Sequence, residues 1–96
     1  MLSDERGIKM KIKDGYMLRN IADTWIVVPL GEKVVELNGI ISLTESGALL
    51  WKKLINGADI EELKSALMQE YDVDEQTALN DCMEFSQSIQ QHNLCE

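Results

Sequence analysis

The stretch 43–57, LTESGALLWKKLING, constrains the fold more than any other part of the chain. Thr44 can cap a helix whose first turn carries Glu45, and Gly57 can close that helix in a left-handed conformation. The spacing predicts a helix over 45–56. Ala48, Leu50, Trp51, Leu54 and Ile55 recur mostly at three- and four-residue intervals and make one wide apolar face. Trp51 is the largest side chain available to anchor a small core. The residues before this helix read as short strands, and those after it read as two more helices.

The second helix starts after Asp59. With Glu62 three residues on, Asp59 resembles a capping box in which Asp replaces the usual Ser or Thr. Ile60, Leu63, Leu67 and Tyr71 recur at helical spacing, with Met68 beside them. The third helix starts after Asp74, with Glu75 in its first turn to complement the helix dipole. Its stripe is Ala78, Cys82, Phe85 and Ile89, and Leu79, Met83 and Ser86 widen it on one side. From about residue 92 the chain is expected to fray.

Upstream, residues 16–21 and 25–30 read as strands on either side of a turn at Asp23. The second of them, WIVVPL, is rich in β-branched and aromatic residues. Pro29 cannot donate to a ladder, so that strand ends there or lies at an edge. Residues 34–37 and 40–43 read as a third and a fourth strand about Asn38-Gly39, because a type I′ turn needs positive φ at both central positions. Over 1–15, Lys9, Lys11 and Lys13 alternate with Met10 and Ile12; a solvated tail is preferred to a frayed edge strand. Three to four short antiparallel strands followed by three helices give an α+β, winged helix-turn-helix-like fold. The expected organisation is a polar lead-in (1–15), one domain (16–92) and a short tail (93–96).

Charge limits the partners. The net charge is −8 over 96 residues. Residues 1–33 hold six Lys or Arg against five acids, and residues 34–96 hold three against twelve. The third helix contains no Lys or Arg at all. A DNA-reading helix needs donors aimed at base edges and cations around them for phosphates, so this chain has the outline of a DNA regulator with the wrong electrostatics. No apolar run reaches the roughly 18 residues of a membrane-spanning helix. Two cysteines, Cys82 and Cys95, make no disulfide framework, which fits a reduced, cytoplasmic protein.

Catalytic chemistry finds little support. His92 is the single histidine, and no third group at a sensible spacing would orient a dyad with Cys82 or Cys95. His92, Cys95 and Glu96 lie on a frayed end and make a poor metal site. No glycine-rich phosphate loop is present. The chain is therefore read as a non-enzyme without cofactor or metal. What remains is a binding surface: a sheet edge that can accept an extended peptide, beside the row Leu79, Met83 and Ser86. That row either faces outward to receive a peptide or simply finishes the core.

The run LTESGALLWKKLINGADIEELKSALMQEYDVDEQTALNDCMEF resembles the PqqD-like family, named for the PQQ-biosynthesis protein D. The matching residues are Leu43 to Ala48, Leu50, Trp51 and Leu54 to Gly57, then Ile60 and Leu63, then Tyr71, Val73 and Asp74. Thr44 stands where Asn is usual and Asn56 where Asp is usual; both still suit a helix end. The resemblance implies a domain that binds the leader of a ribosomally made precursor peptide and presents it to a modifying enzyme, in many pathways a radical-SAM protein with iron–sulfur clusters. It implies that the leader lies as a strand along the last β-strand, against the third helix. Carried over, that points to Ile40, Ile41, Ser42 and Leu43 for main-chain pairing, with 34–37 as the alternative edge. The cleft wall would include Leu79, Met83 and Ser86, and Arg19 and Lys33 would meet leader carboxylates. The alternatives are a winged-helix DNA-binding regulator and a small regulatory subunit of an enzyme. An exposed sheet edge also leaves room for a homodimer.

Overall fold

In a computed structural model of the chain, residues 9–33 and 41–96 are described. The strand expected over 34–37, the Asn38-Gly39 turn and Ile40 lie outside the described residues. The architecture is α+β. An antiparallel sheet of β1 (Tyr16–Ile21), β2 (Thr24–Pro29) and β3 (Ile41–Leu43) precedes α1 (Glu45–Ile55), α2 (Ile60–Glu70) and α3 (Glu75–Gln91). The sheet order is β1-β2-β3, with β2 central.

The register explains which side of the sheet is buried. Leu18, Val27 and Ile41 form one cross-strand row, and Asn20, Trp25 and Leu43 another. Directly paired residues share a face, so these rows point the same way, and Val27 at their centre is fully buried. Arg19, Ile26 and Ser42 form the intervening row and point to the opposite side. Tyr16, on the inner face of β1, meets Trp51 of α1 edge to face, with ring centroids 6.4 Å apart and planes at 89°.

The β1–β2 hairpin turns on two residues, Ala22 and Asp23, with φ of 52° and 66°. Two positive φ values suit a two-residue primed turn, the type that matches strand twist. Nothing in the sequence marks Ala22 for it, because the left-handed region costs a residue with a Cβ about 1–2 kcal/mol. Ala22→Gly should therefore stabilise the chain, by about 0.5–1 kcal/mol, seen as a rise of several degrees in thermal unfolding. A fall would show that the turn is strained for another reason.

Each helix begins where its polar cap sits. Thr44 accepts from Gly47 N at 3.1 Å, and Gly57 comes just after α1 with φ of 91°. Asp59 and Glu62 exchange bonds of 2.8 and 2.9 Å in a full capping box, and Asp74 accepts from Thr77 N at 2.7 Å. The core is Trp51, Leu54, Leu63, Cys82 and Val27, all essentially without solvent contact, closed by Leu50, Leu67, Ala78 and Ile89. Ile55, expected on the apolar face of α1, is 45 % exposed. Only one face of α1 packs inward, and Ile55 falls past its margin. Lys64 buries its stem while its ammonium pairs with Glu75 at 2.6 Å and Glu61 at 3.0 Å, tying α2 to α3.

The two chain ends differ most from expectation. The segment at 9–13 is not a solvated tail. Met10 and Ala58 exchange backbone bonds of 2.8 and 2.9 Å, and Ile12 N donates to Leu54 O at 3.0 Å. Lys13 N donates to Leu94 O, and Glu96 N donates to Lys11 O, both at 2.8 Å. Ile12 is 4 % exposed and Leu94 1 %. The C-terminal residues expected to fray are thus clamped against the N-terminal segment. The physical reason is that Ile12 and Leu94 cover apolar surface that the three helices leave open.

Two caps also make stability depend on acid. Hydrogen bonding from Thr77 holds the Asp74 carboxyl below its ordinary value of 3.8, and Lys9, then the Asp59 backbone, holds Glu62 below 4.5. A depressed folded-state value contributes stability above the unfolded value, and that contribution is lost as pH falls through the folded one. The urea midpoint should therefore drop as pH is lowered below about 4.5. Asp74→Asn, which caps without titrating, should remove part of that drop; an unchanged profile would count against the assignment.

Candidate functional site

Among the described residues, β3 is an outer strand of the sheet. It pairs with β2 through Ile41, Ser42 and Leu43, and among the described residues no strand pairs with its other side. It runs directly into Thr44, the cap of α1. Two hollows open there. One, of about 370 Å³, is bounded by Thr44, Glu45, Ser46, Leu67, Tyr71, Val73 and Asp81. The other, of about 380 Å³, is bounded by Thr44, Ser46, Gly47, Leu50, Asp81, Glu84 and Phe85. Thr44, Ser46 and Asp81 belong to both, so the two are sections of one groove between the start of α1 and α3.

The absence of a side chain at Gly47 shapes this groove. A Cβ there would lie 3.3 Å from Thr44 Oγ1 and 3.5 Å from both Leu43 Cβ and Phe85 Cε1. Gly47 is therefore the point where the end of β3, the first turn of α1 and α3 come together. The floor is apolar: Leu50, Leu67 and the half-buried Phe85, Tyr71 and Val73. The rim is acidic: Glu45, Asp81 and Glu84, with no Lys or Arg among the described residues lining either hollow. Beside the groove, Trp25 is paired in register with Leu43 and carries the Lys52 ammonium 4.4 Å above its ring.

The structure brings together only part of the residue set read from sequence. Ile41, Ser42 and Leu43 form the edge strand, and Ile40 lies outside the described residues. Leu79, Met83 and Ser86 do not line the groove. At about 100° per residue, they lie on one side of the buried Cys82, while Asp81 and Phe85 lie on the other. Ser86 is 7 % exposed and donates its hydroxyl to Met83 O at 3.3 Å, so it finishes the core; Met83 is 45 % exposed on the far flank. Arg19 sits on β1, at the opposite edge of the sheet from β3, where its guanidinium contacts Met17 Sδ at 3.6 Å. Lys33 lies over Gly15, away from both hollows. Asp81, Glu84, Tyr71 and Val73 line the hollows, although the sequence did not single them out for the site. Their signal was weak, because exposed acids on a helix flank look like ordinary solvated surface.

The remaining reactive groups are occupied structurally. Burial, and then the Asp81 charge, pushes the Cys82 thiol up to about 11, which leaves it uncharged and inert near neutral pH. The His92 ring nitrogen Nδ1 lies 2.8 Å from Ser88 O of its own helix. Among the described residues, no group of three or more His, Cys, Asp or Glu side chains is placed to hold a metal ion, and no helix is long and apolar enough to cross a membrane.

Residues 24–94 match the model of the family described as Coenzyme PQQ synthesis protein D (PqqD). No curated protein matches the chain in sequence. Two solved structures share the fold. TbiB1 in complex with the TbiA(beta) leader peptide superposes with a TM-score of 0.71 at 27 % identity, over 90 % of this chain and 94 % of that one. Lasso peptide synthetase B1 complexed with the leader peptide superposes with a TM-score of 0.71 at 15 % identity, over 91 % and 96 %.

Proposed function

Because the chain belongs to the family of coenzyme PQQ synthesis protein D, we propose that it is an adaptor that binds the leader of a ribosomally made precursor peptide. The leader adds as a strand to the free edge of β3 and drops alternate side chains into the groove between α1 and α3. The observation that carries this reading is the juxtaposition of that edge with an open, apolar-floored groove at Thr44. The relative TbiB1, 27 % identical, was solved with a leader peptide in place, which supports it.

The adaptor performs no chemistry itself. It holds the leader so that the attached core peptide stays near a modifying enzyme of the cytoplasm, at an effective concentration in the mM range for a short tether. A radical-SAM maturase is the partner proposed from the family. Pull-down of the enzyme encoded beside this chain, with and without precursor, identifies it.

The direct test is titration with the leader of a candidate precursor sought among the neighbouring genes. Trp25 is half-exposed and in register with Leu43, so its emission should change saturably as a strand is added. No change in emission or in the amide spectrum at tens of micromolar peptide would overturn the reading. A gel shift at low salt should show no binding to DNA, since α3 lacks Lys and Arg.

A further inference from the structure

We infer that the groove selects leaders carrying a Lys or Arg two residues from an apolar or aromatic anchor. This inference rests on the adaptor reading and deepens it. The reading carried over from the resemblance was the reverse, with Arg19 and Lys33 meeting leader carboxylates. The structure removes both cations from the groove and leaves Glu45, Asp81 and Glu84 on its rim.

Three observations fix the sign. First, among the described residues the two hollows are lined by three carboxylates and by no basic side chain. Second, Asp81 borders both hollows, so it lies beside a peptide crossing from one to the other. Third, among the described residues Asp81 and Glu84 form no ion pair, so their charges are not already neutralised from within. A leader carboxylate entering this groove would meet like charge on the exposed rim and be disfavoured. A Lys or Arg can lay its methylene stem on the Phe85 and Leu50 floor and place its head on the Asp81 and Glu84 carboxylates.

Strand geometry sets the pattern. In an added strand only every second side chain faces the groove, about 7 Å apart. An apolar side chain over the Gly47–Phe85 hollow therefore puts the next groove-facing residue within reach of Asp81. The occupant is an extended, basic–apolar segment; a neutral or acidic one fits the floor and fails at the rim.

The experiment uses the full chain and the leader of a candidate precursor sought among the neighbouring genes, with synthetic analogues in which each Lys or Arg is replaced by Gln and by Glu. Affinity should fall about three- to tenfold with Gln and further with Glu, and should weaken as salt is raised. Asp81→Asn and Glu84→Gln should each reproduce the Gln effect on the native leader, with helix content unchanged. Asp81→Lys should recover binding of the Glu analogue. A leader that binds equally well in all three forms, or that contains no basic residue near its anchor, overturns the charge inference and leaves the adaptor reading standing. A leader that binds in no form overturns the adaptor reading, and the inference falls with it.

Discussion

Replacing Trp51 with Ala leaves the chain mostly unfolded at 37 °C. Trp51 has no solvent contact, sits at the centre of the α1 face and takes the Tyr16 ring edge to face. Truncating a buried Trp costs about 3–5 kcal/mol, combining lost transfer energy with the cavity left behind. A 96-residue domain has roughly 5–10 kcal/mol to lose, so one such change removes most of its stability. The midpoint of thermal unfolding should fall by about 15–30 °C, measured by circular dichroism. A fall of only a few degrees would mean that the three helices pack without this anchor. Trp51→Phe is the instructive companion. The Trp51 Nε1 donor is buried without a partner, so Phe keeps most of the packing and removes an orphaned N–H. Its cost should be well under half that of Ala.

The second large effect concerns the groove. Gly47→Leu abolishes leader binding, with a loss of at least about tenfold, because the added side chain occupies the hollow that the leader would enter. The reason is geometric: even a Cβ at this position stands 3.5 Å from Phe85 Cε1 and Leu43 Cβ. Gly47→Ala separates that effect from folding. Its methyl makes mostly ordinary contacts, and replacing a helical Gly by Ala gains about 1 kcal/mol, against which the 3.3 Å approach to Thr44 Oγ1 works. Ala should therefore retain near-native stability and most of the binding. If Leu at this position bound the leader as well as Gly does, the groove between α1 and α3 would not be the docking site. Calorimetric titration, with folding of each variant checked in parallel, reads the result.

These two residues also show what a reading of the chain can reach. Both lie in the capped stretch at 43–57, and both were visible there: Trp51 as the anchor, Gly47 as part of the family pattern. The role of Gly47 was not visible, because its neighbour Phe85 is 38 residues away along the chain. The same holds for α3. Periodicity found the buried stripe of Ala78, Cys82 and Ile89, yet it could not say which flank of that stripe faces the groove. It pointed to Leu79, Met83 and Ser86, the oily side, because apolar residues are the usual mark of a contact. The packing of α3 on α2 left the other side, Asp81 and Phe85, toward the opening.

The chain by itself determined what is local. The three helices, their caps at Thr44, Asp59 and Asp74 and the closing Gly57 all arise from interactions spanning three or four residues. Tertiary structure alone decided what is distant: Ile12 pairing with the C-terminal segment, and a groove at Thr44 with acids gathered on its rim. Those outcomes depend on which apolar surfaces remain uncovered once the helices have packed. That is a property of the whole arrangement, and no short window of residues contains it.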